Sequence, residues 1–297
     1  MKTKGFVVAA SFAFCFLPQI AGAAEAKLDA AKIEQLTGIK GELNEKEGVY
    51  TVRAPRADLQ VTAAGVKLTP AMGLTSYAAF KKAGGKTMVM GDTTLLEDQV
   101  NPVMTVALDN GLQVTALHNH FFWDSPKVMF MHIGGMGDEE KLAAAVGKVF
   151  AKIKETSGGN GQVPKADLDP AKTSLDPKKI EAIIGGNGQL ANGVYKVTMG
   201  RTTKIGGATV GNAMGINTWA AFVGGDQQAV VDGDFVMLEN ELQPVLKALR
   251  GAGINVVAIH NHIETESPRI VFLHYWGIGP TAELAKGLKT ALDTQKK

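Results

Sequence analysis

The feature that most constrains this chain is that it is one unit written twice. Ala71-Met72-Gly73-Leu74-Thr75-Ser76-Tyr77-Ala78-Ala79-Phe80 returns as Ala213-Met214-Gly215-Ile216-Asn217-Thr218-Trp219-Ala220-Ala221-Phe222, an offset of 142 residues. Gly91-Asp92, Leu96-Glu97 and Pro102 return at the same offset as Gly233-Asp234, Leu238-Glu239 and Pro244. Nearer the start, Ile33-Glu34 and Val49-Tyr50 return as Ile180-Glu181 and Val194-Tyr195 with small length changes. Two copies are too few for a solenoid, so the expectation is a duplicated domain with pseudo-twofold packing.

Residues 24–155 and 178–297 are the two copies, and 156–177, with its glycines, prolines and aspartates and no apolar period, reads as the linker. Each copy is expected to open with a short amphipathic helix, Ala30 to Leu36 or Lys178 to Ile184. Short strands follow, then a strand near Thr87 to Leu95 or Ala229 to Leu238. A helix led by Pro102 or Pro244 comes next, then a hairpin, then a closing helix from Glu139 to Lys154 or Thr281 to Leu292. Strands and helices mixed in this order give an α+β fold with a largely antiparallel sheet.

The hairpin carries the chemistry. Ala116-Leu117-His118-Asn119-His120, closed by His132, returns as Ala258-Ile259-His260-Asn261-His262, closed by His274, and these are all six histidines of the protein. Side chains alternate along a strand, so Val114, Ala116, His118 and His120 are expected on one face, with His132 brought opposite His118 by a turn at Asp124-Ser125-Pro126. Val256, Ala258, His260 and His262 should do the same against Ile270, Phe272 and His274. Three neutral imidazoles converging at fixed spacing suit a transition metal such as zinc or copper. Glu97 and Glu239 recur in register with the triads and are the candidates for a fourth ligand, with Asp124 and Glu266 as rival carboxylates.

Residues 1–23 read as a secretory signal. Lys2 and Lys4 precede an apolar run from Phe6 to Leu17, and Ala21-Gly22-Ala23 offers a cleavage site. The single cysteine, Cys15, would leave with this segment, so thiolate ligands and disulfides are excluded from a mature chain in the periplasm or medium. Thirty-one basic and 29 acidic residues, without long runs of one sign, give no footprint for nucleic acid or an anionic membrane.

The run His260-Asn261-His262, Glu266-Ser267-Pro268-Arg269, Phe272, His274, Gly277 resembles the signature of the LppY/LpqO family, bacterial secreted or lipid-anchored proteins with a domain of unknown function. The first copy departs from it with Asp124 and Lys127 in place of the acid and the arginine. The resemblance implies an envelope protein and supplies no reaction. Three functions stay open: metal binding through each triad, metal-dependent hydrolysis of an envelope substrate with Glu97 or Glu239 as general base, and metal-free binding of an envelope ligand between the copies.

Overall fold

The structure is a computed structural model that describes residues 27–158 and 163–295. The segment read as a secretory signal lies outside the described residues. Among the described residues, no helix is long and apolar enough to cross a membrane.

The fold is α+β, built on one twelve-stranded sheet whose neighbouring strands are all antiparallel. The first copy supplies β1 (Gly41–Asn44), β2 (Val49–Pro55), β3 (Thr75–Ala83), β4 (Lys86–Leu96), β5 (Gln113–His118) and β6 (Val128–Gly137). The second supplies β7 (Gly188–Ala191), β8 (Val194–Gly200), β9 (Asn217–Gly224), β10 (Ala229–Leu238), β11 (Asn255–His260) and β12 (Ile270–Gly279). Their order is β1-β2-β3-β4-β6-β5-β11-β12-β10-β9-β8-β7, which reads the same from either edge when copies are exchanged. The pseudo-twofold axis therefore passes through the centre of the sheet, where Leu117 of β5 pairs with Ile259 of β11.

Among the described residues, six α-helices cover one face: α1 (Ala30–Thr37), α2 (Glu97–Asp109), α3 (Glu139–Glu155), α4 (Pro177–Ile184), α5 (Leu242–Gly251) and α6 (Thr281–Thr294). Their ends follow local chemistry. Asp29, Asp138 and Asp176 accept hydrogen bonds from the backbone N–H of Lys32, Lys141 and Lys178, which satisfies donors that a helix start leaves unpaired. Leu117, Met131, Ile133 and their counterparts Ile259, Leu273 and Tyr275 point into the core beneath the helices, which runs through both copies without a break.

The prolines do not lead their helices. α2 begins at Glu97, with Pro102 inside it, and Pro244 follows a short 3₁₀ turn (Glu239–Glu241) and the first residues of α5. The start is set instead by Gln99, which accepts from the backbone N–H of Leu96, and by Glu241, which accepts from that of Leu238. Both are anchored by an arginine: the buried Arg56 donates to Gln99 in the first copy, and the half-buried Arg201 to Glu241 in the second.

The other face of the sheet is covered only in part. Thr62–Ala63, Val66–Lys67 and Asp124–Ser125 form a small sheet over one side, and Thr203–Ile205, Ala208–Val210 and Glu266–Ser267 form its equivalent over the other. Each closes a satellite core: Leu59, Val61, Leu68, Leu74, Val128 and Phe130 in the first copy, and Val210, Ile216, Val236, Ile270 and Phe272 in the second. The burial of β4 records this layering, because Gly91 to Leu95 are covered on both faces while its beginning alternates.

Candidate metal centre

The strand alternation expected from sequence is interrupted. Val114 pairs with Ile133 and Ala116 with His132, so Thr115 is an extra residue in β5, and Val257 is its equivalent in β11. Such a bulge turns one stretch of strand over relative to the next. Val114 and Val256 accordingly belong to the core beneath the helices, not to the histidine face. The bulge also resets the pairing: His132 lies opposite Ala116, and His118 lies opposite Phe130. The connection between the strands is no tight turn, because Asp124–Ser125 leaves to join the small sheet.

The imidazoles still gather. His118 Nε2 lies 3.0 Å from His132 Nε2, and His260 Nε2 lies 3.1 Å from His262 Nε2. The rings of His118 and His120 are centred 5.2 Å apart, and those of His260 and His274 4.6 Å apart. His120 and His262 come just after the strands end, and each lies flat on a buried phenylalanine: His120 is 3.6 Å from Phe130, ring centre to ring centre, and His262 is 3.5 Å from Phe272. His118 donates from Nδ1 to the carbonyl of Asn119 at 3.3 Å, which leaves its Nε2 lone pair directed at His132.

The carboxylate that joins each triad is Asp92 or Asp234. In the sheet Asp92 pairs with His132 and Asp234 with His274. Asp92 Oδ2 lies 3.9 Å from His132 Nε2; Asp234 Oδ2 lies 3.6 Å from His262 Nε2, and its Oδ1 is 4.0 Å from His274 Nδ1. Ligand atoms of Asp234, His260 and His274 all fall within 4.8 Å of one another. In both copies the aspartate's Oδ1 is buried without a hydrogen-bond partner, as is His260 Nδ1. Buried polar atoms are nearly always paired, so the matched oxygen in each repeat is a place where a cation or a polar group could be held.

Glu97 and Glu239, the expected fourth ligands, stand at the start of α2 and of the 3₁₀ turn before α5, and neither belongs to the His/Asp group. Leu96, the last residue of β4, pairs with Val128, four residues or about 13 Å along from the Asp92–His132 pair at ~3.3 Å per residue, and the chain turns into α2 at Glu97. Glu97 sits in a cleft with Asn119 and Lys127, and Glu239 shares one with Arg269. Asp124 and Glu266 hold the connection together: their carboxylates accept from the backbone N–H of Val128 at 2.8 Å and of Ile270 at 3.1 Å. Asn119 bonds the carbonyl of Phe121.

The electrostatics keep the ligands ready. Burial, reinforced by the neighbouring His274 and His262, pushes the pKa of His260 down to about 4. Burial also lowers His120 and His262 below the usual histidine value. Burial raises the carboxyl of Asp234 against the opposing pull of His274 and His262. His260 is therefore a neutral imidazole at ordinary pH, the form that binds metal.

The sequence signal for Asp92 and Asp234 is that Gly91-Asp92 and Gly233-Asp234 recur in step with the histidines. The glycines have their own reason. A Cβ on Gly91 would stand 2.5 Å from the carbonyl oxygen of Tyr77, and one on Gly233 would stand 2.2 Å from the Tyr275 ring. The two centres differ at their rims. Phe122 and Trp123 stand exposed beside His120, where the second copy has Glu264 and Thr265.

Compared with known proteins, the chain matches the family described as Domain of Unknown Function (DUF1259) twice, over residues 31–152 and 178–294. It belongs to that family and carries two copies of its domain. No curated protein and no solved structure matches it.

Proposed function

We propose that this chain of the DUF1259 family binds transition metal, with one His₃Asp centre per repeat: His118, His120, His132 and Asp92 in the first, His260, His262, His274 and Asp234 in the second. The observation that carries the reading is the buried Asp234 beside its histidines: its ligand atoms fall within 4.8 Å of those of His260 and His274, and its Oδ1, like that of Asp92, has no hydrogen-bond partner. The dimensions support it. Tetrahedral zinc with bonds of about 2.0–2.1 Å needs ligand atoms ~3.3 Å apart; the Nε2 pairs at 3.0 and 3.1 Å meet that spacing, and Asp92, 3.9 Å from His132, and Asp234, 3.6 Å from His262, would draw closer to complete a shell. Nitrogen and carboxylate donors without thiolate suit zinc or copper(II).

The hydrolytic alternative assigned the general base to Glu97 or Glu239, and both stand apart from the imidazoles at the starts of their helices. The binding reading is therefore favoured over hydrolysis with either glutamate as base. The test is titration of chelator-stripped protein with zinc or copper(II) against a chromophoric chelator. Wild-type protein should take up metal, and replacement of both His120 and His262 by alanine should abolish uptake while leaving the circular dichroism of the fold unchanged. Folded wild-type protein that takes up no zinc, copper, nickel, iron or manganese would overturn the reading.

The hairpin signature supports placing the chain with the LppY/LpqO proteins, and the basic, apolar and small-residue pattern of residues 1–23 supports export to the periplasm or medium. Protein recovered from that compartment should begin near Ala24, and an intact Met1 there would contradict export.

A further inference from the structure

The two central strands, β5 and β11, carry His118 and His260, yet they share a single backbone pair, Leu117 with Ile259. On either side of that pair the rungs of the ladder are missing. With Leu117 opposite Ile259, the residue alongside Val114 would be His262 and the residue alongside Val256 would be His120, and both lie past the strand ends. The backbone donor and acceptor of Val114 and Val256 would then have no strand to bond, a costly state for buried residues.

Two side-chain amides fill those rungs, each from the other repeat. Gln243 of α5 donates from Nε2 to the carbonyl of Val114 at 2.8 Å and accepts from its N–H at 3.0 Å. Asn101 of α2 does the same for Val256, donating at 3.1 Å and accepting at 2.8 Å. Asn101 and Gln243 are equivalent positions at the 142-residue offset, so the clamp is reciprocal. Each grips the residue immediately before the bulge, and the bulge is what places His132 opposite Ala116 and His118 opposite Phe130.

We infer that Asn101 and Gln243 are positioning residues exchanged between the repeats: each holds in register the histidine strand of the opposite copy, so neither centre is complete within one repeat. The part that concerns metal rests on the proposed His₃Asp centres; the part that concerns the strands does not. An amide presents an N–H donor and a carbonyl acceptor on neighbouring atoms, as a strand residue does, which is why Asn and Gln both serve here and a carboxylate, with no donor, would not.

The experiment uses the full chain carrying Gln243→Ala or Asn101→Ala, with two readouts. The first is amide hydrogen exchange of the metal-free protein. Gln243→Ala should speed exchange at residues 113–118 more than at 255–260, and Asn101→Ala should do the reverse. Equal loss of protection in both strands, or loss confined to the variant's own repeat, overturns the inference whether or not metal binds.

The second readout is zinc affinity with one centre removed, by His118→Ala with His132→Ala or by His260→Ala with His274→Ala. Groups that orient ligands from behind are worth roughly 10- to 100-fold in metal affinity, so Gln243→Ala should weaken the first repeat's centre about tenfold more than the second's. A purely stabilising role would lower both alike. Crossed exchange with no zinc uptake in any background would retain the clamp and reject the metal reading; crossed exchange with equal zinc losses would retain the clamp and remove its role in the centres.

Discussion

Replacing Asp234 by asparagine should strengthen the metal-free fold and weaken the metal-bound one. The carboxylate is buried, its Oδ1 has no hydrogen-bond partner, and burial holds its pKa above the usual carboxylate value. Leaving such an atom unpaired costs about 1–3 kcal/mol, more for a charged group. Asparagine keeps the shape, removes the charge and presents an N–H to the imidazoles of His262 and His274, so that cost is relieved. At about 2 °C per kcal/mol for a chain of this size, the apo melting temperature should rise by about 2–6 °C. Zinc should then reverse the benefit. At free zinc a hundredfold above Kd, each occupied centre adds about 2.7 kcal/mol, so the wild-type gain of about 5.4 kcal/mol should fall to about 2.7 when one centre is lost. Calorimetry with chelator and with zinc measures both numbers. An apo variant less stable than wild type, or a zinc-induced gain equal to that of wild type, would refute the reasoning.

Two further outcomes follow from the same geometry. His260 has a folded pKa of about 4 against a usual value near 6.5, so below about pH 6.5 the unfolded chain binds a proton that the folded chain refuses. Its share of stability is complete above about 6.5 and is lost as pH falls through about 4; urea midpoints of the apo protein across that window should fall, and less steeply in His260→Gln, with identical slopes counting against the burial argument. Glu97→Gln and Glu239→Gln, at helix starts away from the imidazoles, should leave zinc affinity within about twofold, and a loss of tenfold or more, the scale of a supporting group, would restore them as members of the centre.

Much of the architecture was legible because duplication repeats its own evidence. The 142-residue offset carried the histidine triads, the strand from Ala229 to Leu238 and the closing helices into view, and the largely antiparallel α+β character followed from the order of elements. What stayed hidden depends on contacts between distant segments. A bulge at Thr115 leaves no mark in an apolar alternation that reads equally well without it, so Val114 was assigned to the wrong face. Glu97 recurs in register with the histidines just as Asp92 does, and only the pairing of β4 with β6, which has no local signal, sets Asp92 beside His132. The joining of both copies into one sheet through Leu117 and Ile259 likewise has no local signal.

The most direct test of the central claim is the anomalous scattering of a crystal of the zinc-loaded protein. Leu117 and Ile259 face the helices, so both histidine clusters lie on the opposite face of the same sheet, centred on β6 and β12, three strand spacings of ~4.8 Å apart. Two zinc peaks are expected on the order of 14 Å apart, one among Asp92, His118, His120 and His132 and one among Asp234, His260, His262 and His274. Peaks beside Glu97 and Glu239, a single peak on the pseudo-twofold axis between His118 and His260, or no peak in folded protein would contradict it.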